Sequence, residues 1–293
     1  MYQAGLILEG GGMRGAYTAG VLDAFLDEQI EFSSIYGVSA GSCHACSYMS
    51  KQRGRAFRVT VDYLEDPNYC GPVSFLKTGD MFGAKMLYSQ IPNVLDPFDY
   101  ETFRQYPGKF FAVVTDVDTG EPRYIRVKDL KTQIWAVRAS SSLPLISRTL
   151  RVRGHGFLDG GVADSIPIRK SMADGNKKNV VILTREKGYQ KGENTLMPLM
   201  RLRYPHSKAF VKKMEDRHIR YNETLDFLKE EEEKGNVFLI RPQKAPAVGR
   251  IEKDKTRLQA LYREGLRDGK ASVERMKRYL AEEEAPGYSC GAE

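Results

Sequence analysis

The chain has 293 residues, 41% of them hydrophobic, which is enough for a sizeable core and excludes an intrinsically disordered protein. No apolar run approaches the ~18 residues of a membrane span, and no secretory leader precedes the first predicted strand, so we expect a cytoplasmic protein. The formal net charge of +7 permits an anionic membrane surface or nucleic acid as a partner. Because no nucleic-acid motif is recognisable, we expect no nucleic-acid partner.

A short apolar run at residues 4–9 predicts a buried strand, and apolar spacings of three and four from Ala16 predict a helix. Between them lies a glycine loop, Gly10-Gly11-Gly12-Met13-Arg14-Gly15. The loop satisfies the dinucleotide-binding pattern, but the acidic residue expected about 20 positions later is not evident. It also lacks the Gly-Lys-Ser/Thr of a P-loop. The backbone N–H groups of this loop are better suited to an oxyanion hole.

The second motif is a serine elbow between a predicted strand at 33–36 and a predicted helix at 42–49, with the sequence Gly37-Val38-Ser39-Ala40-Gly41. A serine at such a turn needs a strained backbone with small neighbours, which the two glycines and Ala40 provide. The helix N-terminus, with about half a positive elementary charge, favours an anionic attacking oxygen. The alternative is a Gly-x-Ser-x-Gly string that only forms a turn.

Residues 70–106 form an irregular segment, rich in apolar residues, which is either a cap that shapes an acyl-chain pocket or an ordinary packed excursion. Further strands are predicted at 110–115, 124–127, 150–152, 157–158, 180–183 and 237–240, and helices at 130–138 and 167–173. Residues 116–121 are predicted to form a solvated hairpin turn, with a cation site as the alternative. This alternation predicts an α/β fold, a three-layer α/β/α sandwich with a largely parallel central sheet.

A serine nucleophile needs a base, and none of the four histidines has an obvious catalytic setting: His44, His155, His206 and His218. A carboxylate offers an alternative, because Asp159 ends a short apolar strand and precedes Gly160 and Gly161. Strand ends are where an open α/β sheet builds its site, so this aspartate could accept the Ser39 proton directly. An ordinary Asp-Gly turn is the other interpretation.

In this order and spacing, the three motifs resemble those of the patatin-like phospholipase family, and residues 139–144 resemble its serine-containing block. The resemblance covers roughly residues 5–183 and is closest to the compact bacterial members. It implies hydrolysis of acyl esters by a Ser39–Asp159 dyad, with residues 10–15 as the oxyanion loop and no metal or cofactor. Arg14 is expected to brace this loop, with a contact to a phosphate head group as the alternative. The chain departs from many relatives at Ser165, where they carry Asn.

The resemblance predicts a serine hydrolase of the phospholipase A, lysophospholipase or esterase type, acting on a lipid or another acyl ester. The alternative is a non-catalytic module that binds a phospholipid or a nucleotide through the glycine loop. Head group, acyl chain length, positional preference and oligomeric state stay open. The cysteines show no disulfide framework, so free thiols are expected: Cys43, Cys46, Cys70 and Cys290.

For the organisation of the chain, we predict a catalytic core at 1–185 with the candidate cap at 70–106. A helix–strand–helix extension at 186–284 is expected to pack on this core, and 285–293 to form a disordered tail. The extension is predicted to begin with a polar linker and one long charged helix that ends near Lys234. Basic residues cluster near 148–153 and 201–220, where they either form a solvated surface or dock on an anionic membrane.

Overall fold

The computed structural model describes residues 1–281, so the predicted tail at 285–293 lies outside the described residues. Eight strands form one sheet, in the order β5-β6-β3-β2-β1-β7-β8 with β4 paired to β3. Their bounds are β1 Tyr2–Leu8, β2 Phe32–Val38, β3 Lys109–Asp116, β4 Pro122–Val127, β5 Leu150–Val152, β6 His155–Asp159, β7 Lys178–Ile182 and β8 Val237–Ile240. All eight predicted strands are present.

The sheet is largely parallel, as predicted. Neighbouring strands from β3 through β2, β1 and β7 to β8 all pair in parallel. The antiparallel pairs are β4 with β3, β6 with β3, and β5 with β6. The antiparallel strand β6 is the one that ends at Asp159.

Helices cover both faces of the sheet. Their bounds are α1 Gly15–Asp27, α2 Ala40–Met49, α3 Arg55–Val61, α4 Pro72–Thr78, α5 Tyr100–Gln105, α6 Leu130–Ser140, α7 Ile168–Ala173, α8 Met197–Arg203, α9 Lys208–Glu215, α10 Arg217–Glu233 and α11 Lys255–Ala281. Short 3₁₀ turns lie at Gly12–Arg14 and Gly160–Val162, and a π-helical segment at Met86–Leu95. Segment 70–106 therefore contains short helices rather than one long element.

The side chains of the central strands alternate between two apolar layers, because successive strand residues point to opposite faces. Leu6 and Leu8 join the core cluster on one face, whereas Ile7 joins the cluster on the other, which includes Ile168 of α7 and Leu228 of α10. The first cluster also contains Tyr17 of α1 and several residues of α2 and α11. This is the predicted three-layer sandwich.

The prediction of one long charged helix before Lys234 is wrong, because this region forms the three helices α8, α9 and α10. The break between α8 and α9 follows from Pro205, since a residue before proline is disfavoured in helical geometry, and Tyr204 has φ −124° and ψ 54°. A second break falls at Asp216, with φ −85° and ψ 3°.

The chain beyond residue 185 contacts the earlier part at several points. β8 pairs with β7 at the edge of the sheet, and α11 packs along α1. Two hydrogen bonds join these helices: Tyr17 Oη donates to Asp268 Oδ2 over 3.0 Å, and Tyr262 Oη donates to Asp23 Oδ2 over 2.6 Å. The proposed boundary at 185/186 stays a prediction.

Within residues 1–281, none of the helices combines the length and apolar character needed to cross a membrane.

Candidate active site

Ser39 lies at the turn between β2 and α2, with a strained backbone at φ 55° and ψ −125°. Such a conformation costs a non-glycine residue on the order of 1–3 kcal/mol. The small residues of the elbow are needed for the close packing around this turn. A Cβ atom at Gly41 would lie 2.4 Å from the carbonyl oxygen of Leu8, and one at Gly37 would lie 2.6 Å from Cα of Ser42. The turn therefore holds the Ser39 hydroxyl at the carboxyl end of the parallel strands.

The sheet register brings Ser39 and Asp159 together. Val38 pairs with Val113 of β3, and Asp159 pairs with the next residue, Val114. Because β4 pairs with both of these β3 residues, it occupies the opposite side of β3 at this point. β2 and β6 therefore run toward each other along one side of β3 and end at adjacent positions. The Ser39 hydroxyl donates a hydrogen bond of 2.6 Å to Oδ2 of Asp159.

The Asp159 carboxylate is buried and fixed at both oxygens. While Oδ2 accepts from Ser39, Oδ1 accepts from the N–H of Gly161 over 2.7 Å. The Asp159 carbonyl oxygen accepts from the Thr115 hydroxyl over 2.8 Å. Burial raises the pKa of the Asp159 carboxyl, although the hydrogen bond from Ser39, the charge of Arg217 and the Gly161 N–H oppose this. A raised pKa makes Asp159 a better proton acceptor.

The glycine loop turns beside Ser39. A Cβ atom at Gly10 would lie 2.8 Å from Cβ of Ser39, so the backbone passes directly against the serine. Among the described residues, the N–H groups of Gly11 and Gly12 form no hydrogen bond with another group. The Met13 N–H instead donates to the carbonyl oxygen of Arg250 over 3.0 Å, so it is already paired in this structure.

The other loop and serine-block positions take part in local hydrogen bonds. The Arg14 N–H donates to the Gly11 carbonyl over 3.3 Å, and the Gly15 N–H donates to the carbonyls of Gly12 and Met13. Gly12 has φ +58°, in the region that favours glycine. In the predicted serine block, the Ser140 hydroxyl accepts from the Ser39 N–H over 3.0 Å. This bond ties the elbow to α6.

An apolar cavity of about 150 Å³ opens on one side of Ser39. Ser39 and the α2 residues Cys43 and Ser47, spaced four apart, line the cavity on one side. At 1.5 Å per residue, the stretch from Ser39 to Ser47 spans about 12 Å. Five further lining residues come from segment 70–106: Phe82, Leu87, Tyr88, Ile91 and Phe98. The segment thus lines the space beside the candidate nucleophile.

A small polar pocket of about 30 Å³ also reaches Ser39, and the glycine loop and Asp159 line it. Arg217 reaches this pocket, since its Nε donates to the Gly161 carbonyl and its Nη2 donates to the Ser165 hydroxyl over 3.4 Å. The grouping of Arg217 with surface cations is therefore wrong. The Ser165 hydroxyl donates to the Gly161 carbonyl over 2.7 Å. This hydrogen bond holds the last residue of the Asp-Gly-Gly turn.

Sequence reasoning missed three cations that also line this polar pocket: Arg185, Lys191 and Arg250. Arg185 follows β7 and Lys191 lies six residues later in the predicted polar linker, whereas Arg250 lies far along the chain in the loop after β8. Nothing in their local sequence distinguishes them from ordinary surface cations. Only the pairing of β7 and β8 beside β1 brings their segments to the site.

No histidine among the described residues hydrogen-bonds Ser39 or Asp159. His155 is exposed, with Nδ1 3.6 Å from Oδ2 of Asp116 in the predicted hairpin turn. His44 lines the apolar cavity, where burial lowers its pKa to about 4. His218 contacts the Glu215 carbonyl over 3.0 Å. The structure thus brings an aspartate, and not an imidazole, to the serine.

Comparison with known proteins places this chain in a family. The family model described as patatin-like phospholipase matches residues 6–171, and a model described as a domain of unknown function matches residues 207–281. The chain is 28% identical over 262 residues to the uncharacterized protein YjjU of Escherichia coli, covering 82% of this chain and 68% of that protein.

An uncharacterized NTE family protein of Mycobacterium tuberculosis is 25% identical over 203 residues, covering 67% of this chain. The match spans only 33% of that mycobacterial relative. Among solved structures, VipD from Legionella pneumophila shares the fold with a TM-score of 0.51 and 11% identity, covering 94% of this chain and 67% of that one. Because the matched model covers more than half of the chain and contains all three motifs, the chain belongs to the patatin-like phospholipase family.

Proposed function

We propose that this protein is a serine acyl hydrolase that cleaves carboxylic esters of lipids. The observation that carries the proposal is the 2.6 Å hydrogen bond from the Ser39 hydroxyl to Asp159 at a strained elbow. In the first step, Ser39 Oγ bonds to the ester carbonyl carbon while Asp159 takes the serine proton. Collapse of the tetrahedral intermediate breaks the bond to the leaving alcohol, which receives that proton from Asp159.

Water completes the cycle by the reverse sequence. Asp159 takes a proton from the attacking water, the tetrahedral intermediate collapses, and Ser39 leaves with its proton restored. The free acid is released. Each proton passes through the same carboxyl group, so the cycle needs no second titrating residue.

The N–H groups of Gly11 and Gly12 are our candidates for oxyanion donors, because they are uncommitted and lie on a loop that touches Ser39. Removing one such donor typically costs about 2.7–4 kcal/mol of transition-state stabilisation. The apolar cavity along α2 is our candidate for the acyl-chain site, and we propose segment 70–106 as its cap.

We also propose that α8 contacts an anionic lipid surface. Its Leu199 and Leu202 side chains are 48% and 76% exposed, next to the basic Arg201 and Arg203. Tyr204, the residue after this helix, accepts a hydrogen bond of 3.4 Å from the Leu145 N–H, two residues from the cavity-lining Leu143. Exposed apolar side chains beside cations are typical of interfacial contacts.

The first experiment is labelling of the purified protein with a fluorophosphonate, with turnover of p-nitrophenyl esters in parallel. Wild type should be labelled at Ser39, and Ser39→Ala and Asp159→Asn should abolish both labelling and turnover. His155→Ala is the matched control and should keep both. Folded wild-type protein that neither labels nor turns over would favour the non-catalytic binding module, and an inactive but folded His155→Ala variant would favour a histidine base.

A further inference from the structure

The polar pocket beside Ser39 is unusually basic. Five cationic side chains line it: Arg14, Arg185, Lys191, Arg217 and Arg250. Only two carboxylates face them, Glu9 and Asp159. Four of the five cations lie beyond residue 171, where the patatin-like match ends. The basic character of the pocket therefore depends on the later part of the chain.

Neither carboxylate neutralises these cations by direct pairing. Glu9 accepts from the Thr184 N–H and the Tyr221 hydroxyl, each over 2.6 Å. Asp159 is held by Ser39 and Gly161. Over residues 1–281, none of the five cations forms an ion pair within 4.0 Å. Their charge is available to a ligand.

Arg14 gives an independent sign that an acceptor belongs in this pocket. Its side chain is only 6% exposed, and its Nε is buried without a hydrogen-bond partner in the described structure. Leaving a buried donor unsatisfied is unfavourable, especially on a charged group. No hydrogen bond from this side chain supports the expected bracing role, so the alternative contact with a phosphate is favoured.

Aromatic rings hold two of the other cations in place. The Lys191 Nζ lies 4.0 Å from the ring centroid of Tyr221, and the Arg185 Cζ lies 4.3 Å from that of Tyr189. These contacts orient the cations without cancelling their charge. Burial, together with the charges of Arg217, Arg250 and Arg14, lowers the pKa of Lys191 to about 7. Binding of an anion would relieve this repulsion.

We propose that this pocket binds a phosphate group, and that the group belongs to the leaving alcohol of a single-chain acyl ester substrate. This assignment of substrate class rests on the proposed hydrolase function. Ser39 lines both spaces, so an acyl chain in the apolar cavity and a phosphate in the polar pocket place the ester bond between them at the nucleophile. Arginine and lysine are the residues that bind phosphate oxygens most strongly.

The first test compares two substrates that differ only in the phosphate: 1-oleoylglycerol 3-phosphate and 1-oleoylglycerol, both in the same neutral detergent micelles. Wild type should favour the phosphate ester in kcat/KM by about tenfold or more, the effect of one charge-assisted hydrogen bond. Lys191→Gln and Arg185→Gln should each lower kcat/KM for the phosphate ester about tenfold more than kcat/KM for 1-oleoylglycerol. Lys187→Gln, an exposed lysine of the same segment, is the matched control and should keep the preference. Equal loss for both substrates would overturn the proposal.

The second test measures binding of inorganic phosphate to the Ser39→Ala protein by calorimetry, which does not depend on hydrolysis. Binding that Lys191→Gln weakens about tenfold and Lys187→Gln does not would support the pocket. If the pocket binds phosphate but wild type shows no substrate preference, its ligand is the free anion and the head-group assignment is overturned. If neither ester is hydrolysed but phosphate still binds, the hydrolase proposal fails and the phosphate site stands. Absence of both binding and preference overturns the site.

Discussion

The hydroxyl of Ser39 donates to Oδ2 of Asp159 over 2.6 Å across a separation of 120 residues. The bond exists because two strands approach each other end to end along β3, where Val113 and Val114 set the register of each. Both residues lie at the ends of regular elements, because Ser39 immediately precedes α2 and Asp159 is the last residue of β6. The sheet itself thus fixes the distance between the proposed nucleophile and base.

Asp159→Asn should abolish turnover without destabilising the fold. The buried carboxyl has a raised pKa, so between about pH 3.9, the ordinary aspartate pKa, and its folded pKa the folded protein holds a proton that the unfolded chain has lost. Stability therefore falls as pH rises through this window, and Asn has no such titration. We expect the melting temperature of Asp159→Asn to equal or exceed that of wild type at neutral pH, with the difference shrinking in acid. A marked destabilisation at neutral pH would contradict this.

Ser39→Gly should be at least as stable as Ser39→Ala. Both variants lose the hydrogen bond to Asp159, but only glycine relaxes the backbone at φ 55° and ψ −125°. Glycine relieves about 1–3 kcal/mol of backbone strain in the folded state. It also loses more conformational entropy on folding than alanine, which costs about 0.5–1 kcal/mol. Denaturant unfolding should place Ser39→Gly up to about 2 kcal/mol above Ser39→Ala. A Ser39→Gly protein that is less stable by about 1 kcal/mol would show that the elbow is unstrained.

Val59→Phe should shift turnover toward shorter acyl chains. Val59 of α3 lines the apolar cavity, and α3 contacts its far end, because Arg55 donates to the Ser47 hydroxyl over 3.5 Å. A phenylalanine ring at this position would shorten the part of the apolar cavity that an acyl chain attached at Ser39 could occupy. Turnover of p-nitrophenyl palmitate should fall about tenfold, whereas that of the butyrate ester should change little. Val59→Ala, which widens the same position, is the control and should not reduce palmitate turnover; an equal loss on both esters in Val59→Phe would count against this acyl site.

The preference for a phosphate ester should weaken with rising pH through about 7, the pKa of Lys191. The charged neighbours of this amine are Arg14, Arg217, Arg250 and Glu9, and the rings of Tyr189 and Tyr221 face it. Lys191 is charged below its pKa and neutral above it, so one contribution to phosphate binding is lost from about pH 6 to about pH 8.

Lys191→Arg supplies the control for this pH dependence, since arginine stays charged and the ionisation of the substrate affects both proteins equally. The ratio of kcat/KM between wild type and Lys191→Arg, measured on 1-oleoylglycerol 3-phosphate, should fall with pH. A ratio that stays constant would mean that Lys191 does not titrate against the ligand.

Leu199→Ser combined with Leu202→Ser should reduce binding to vesicles of anionic lipid. Both side chains are exposed on α8, so the substitutions remove apolar contact area without disturbing the core. Co-sedimentation should fall several-fold, and turnover of a water-soluble p-nitrophenyl butyrate should remain. Ile219→Ser, at another exposed apolar residue, is the control and should bind as wild type does. Unchanged sedimentation of the double variant would exclude α8 as the contact.

Much of the fold was predictable from local patterns. The strands around Leu6 and Val180 are short apolar runs, and Gly37 and Gly41 indicate a tight turn at Ser39. The break at Asp216 was not predictable, because no proline or glycine stands there. The Ser39 and Asp159 motifs each left an ordinary turn as an alternative, and the resemblance favoured the site interpretation.

The polar pocket could not be predicted from the sequence, for a different reason. Lys191 lies in a linker and Arg250 in a loop, and the two side chains line the same pocket only because β7 and β8 pair. Similarly, the Met13 N–H donates to the carbonyl of Arg250, which lies 237 positions later in the sequence, and no local pattern predicts such a hydrogen bond.

The bond between Met13 and Arg250 also bears on how this protein can be dissected. A fragment trimmed to the limits of the patatin-like match at residue 171 would lose β7 and β8. The edge of β1 would be left unpaired, which is a template for aggregation. The same cut would remove the carbonyl that anchors the glycine loop. The region after residue 171 therefore cannot be removed without disturbing the site. Chimeras with relatives should exchange this region together with the glycine loop that it anchors.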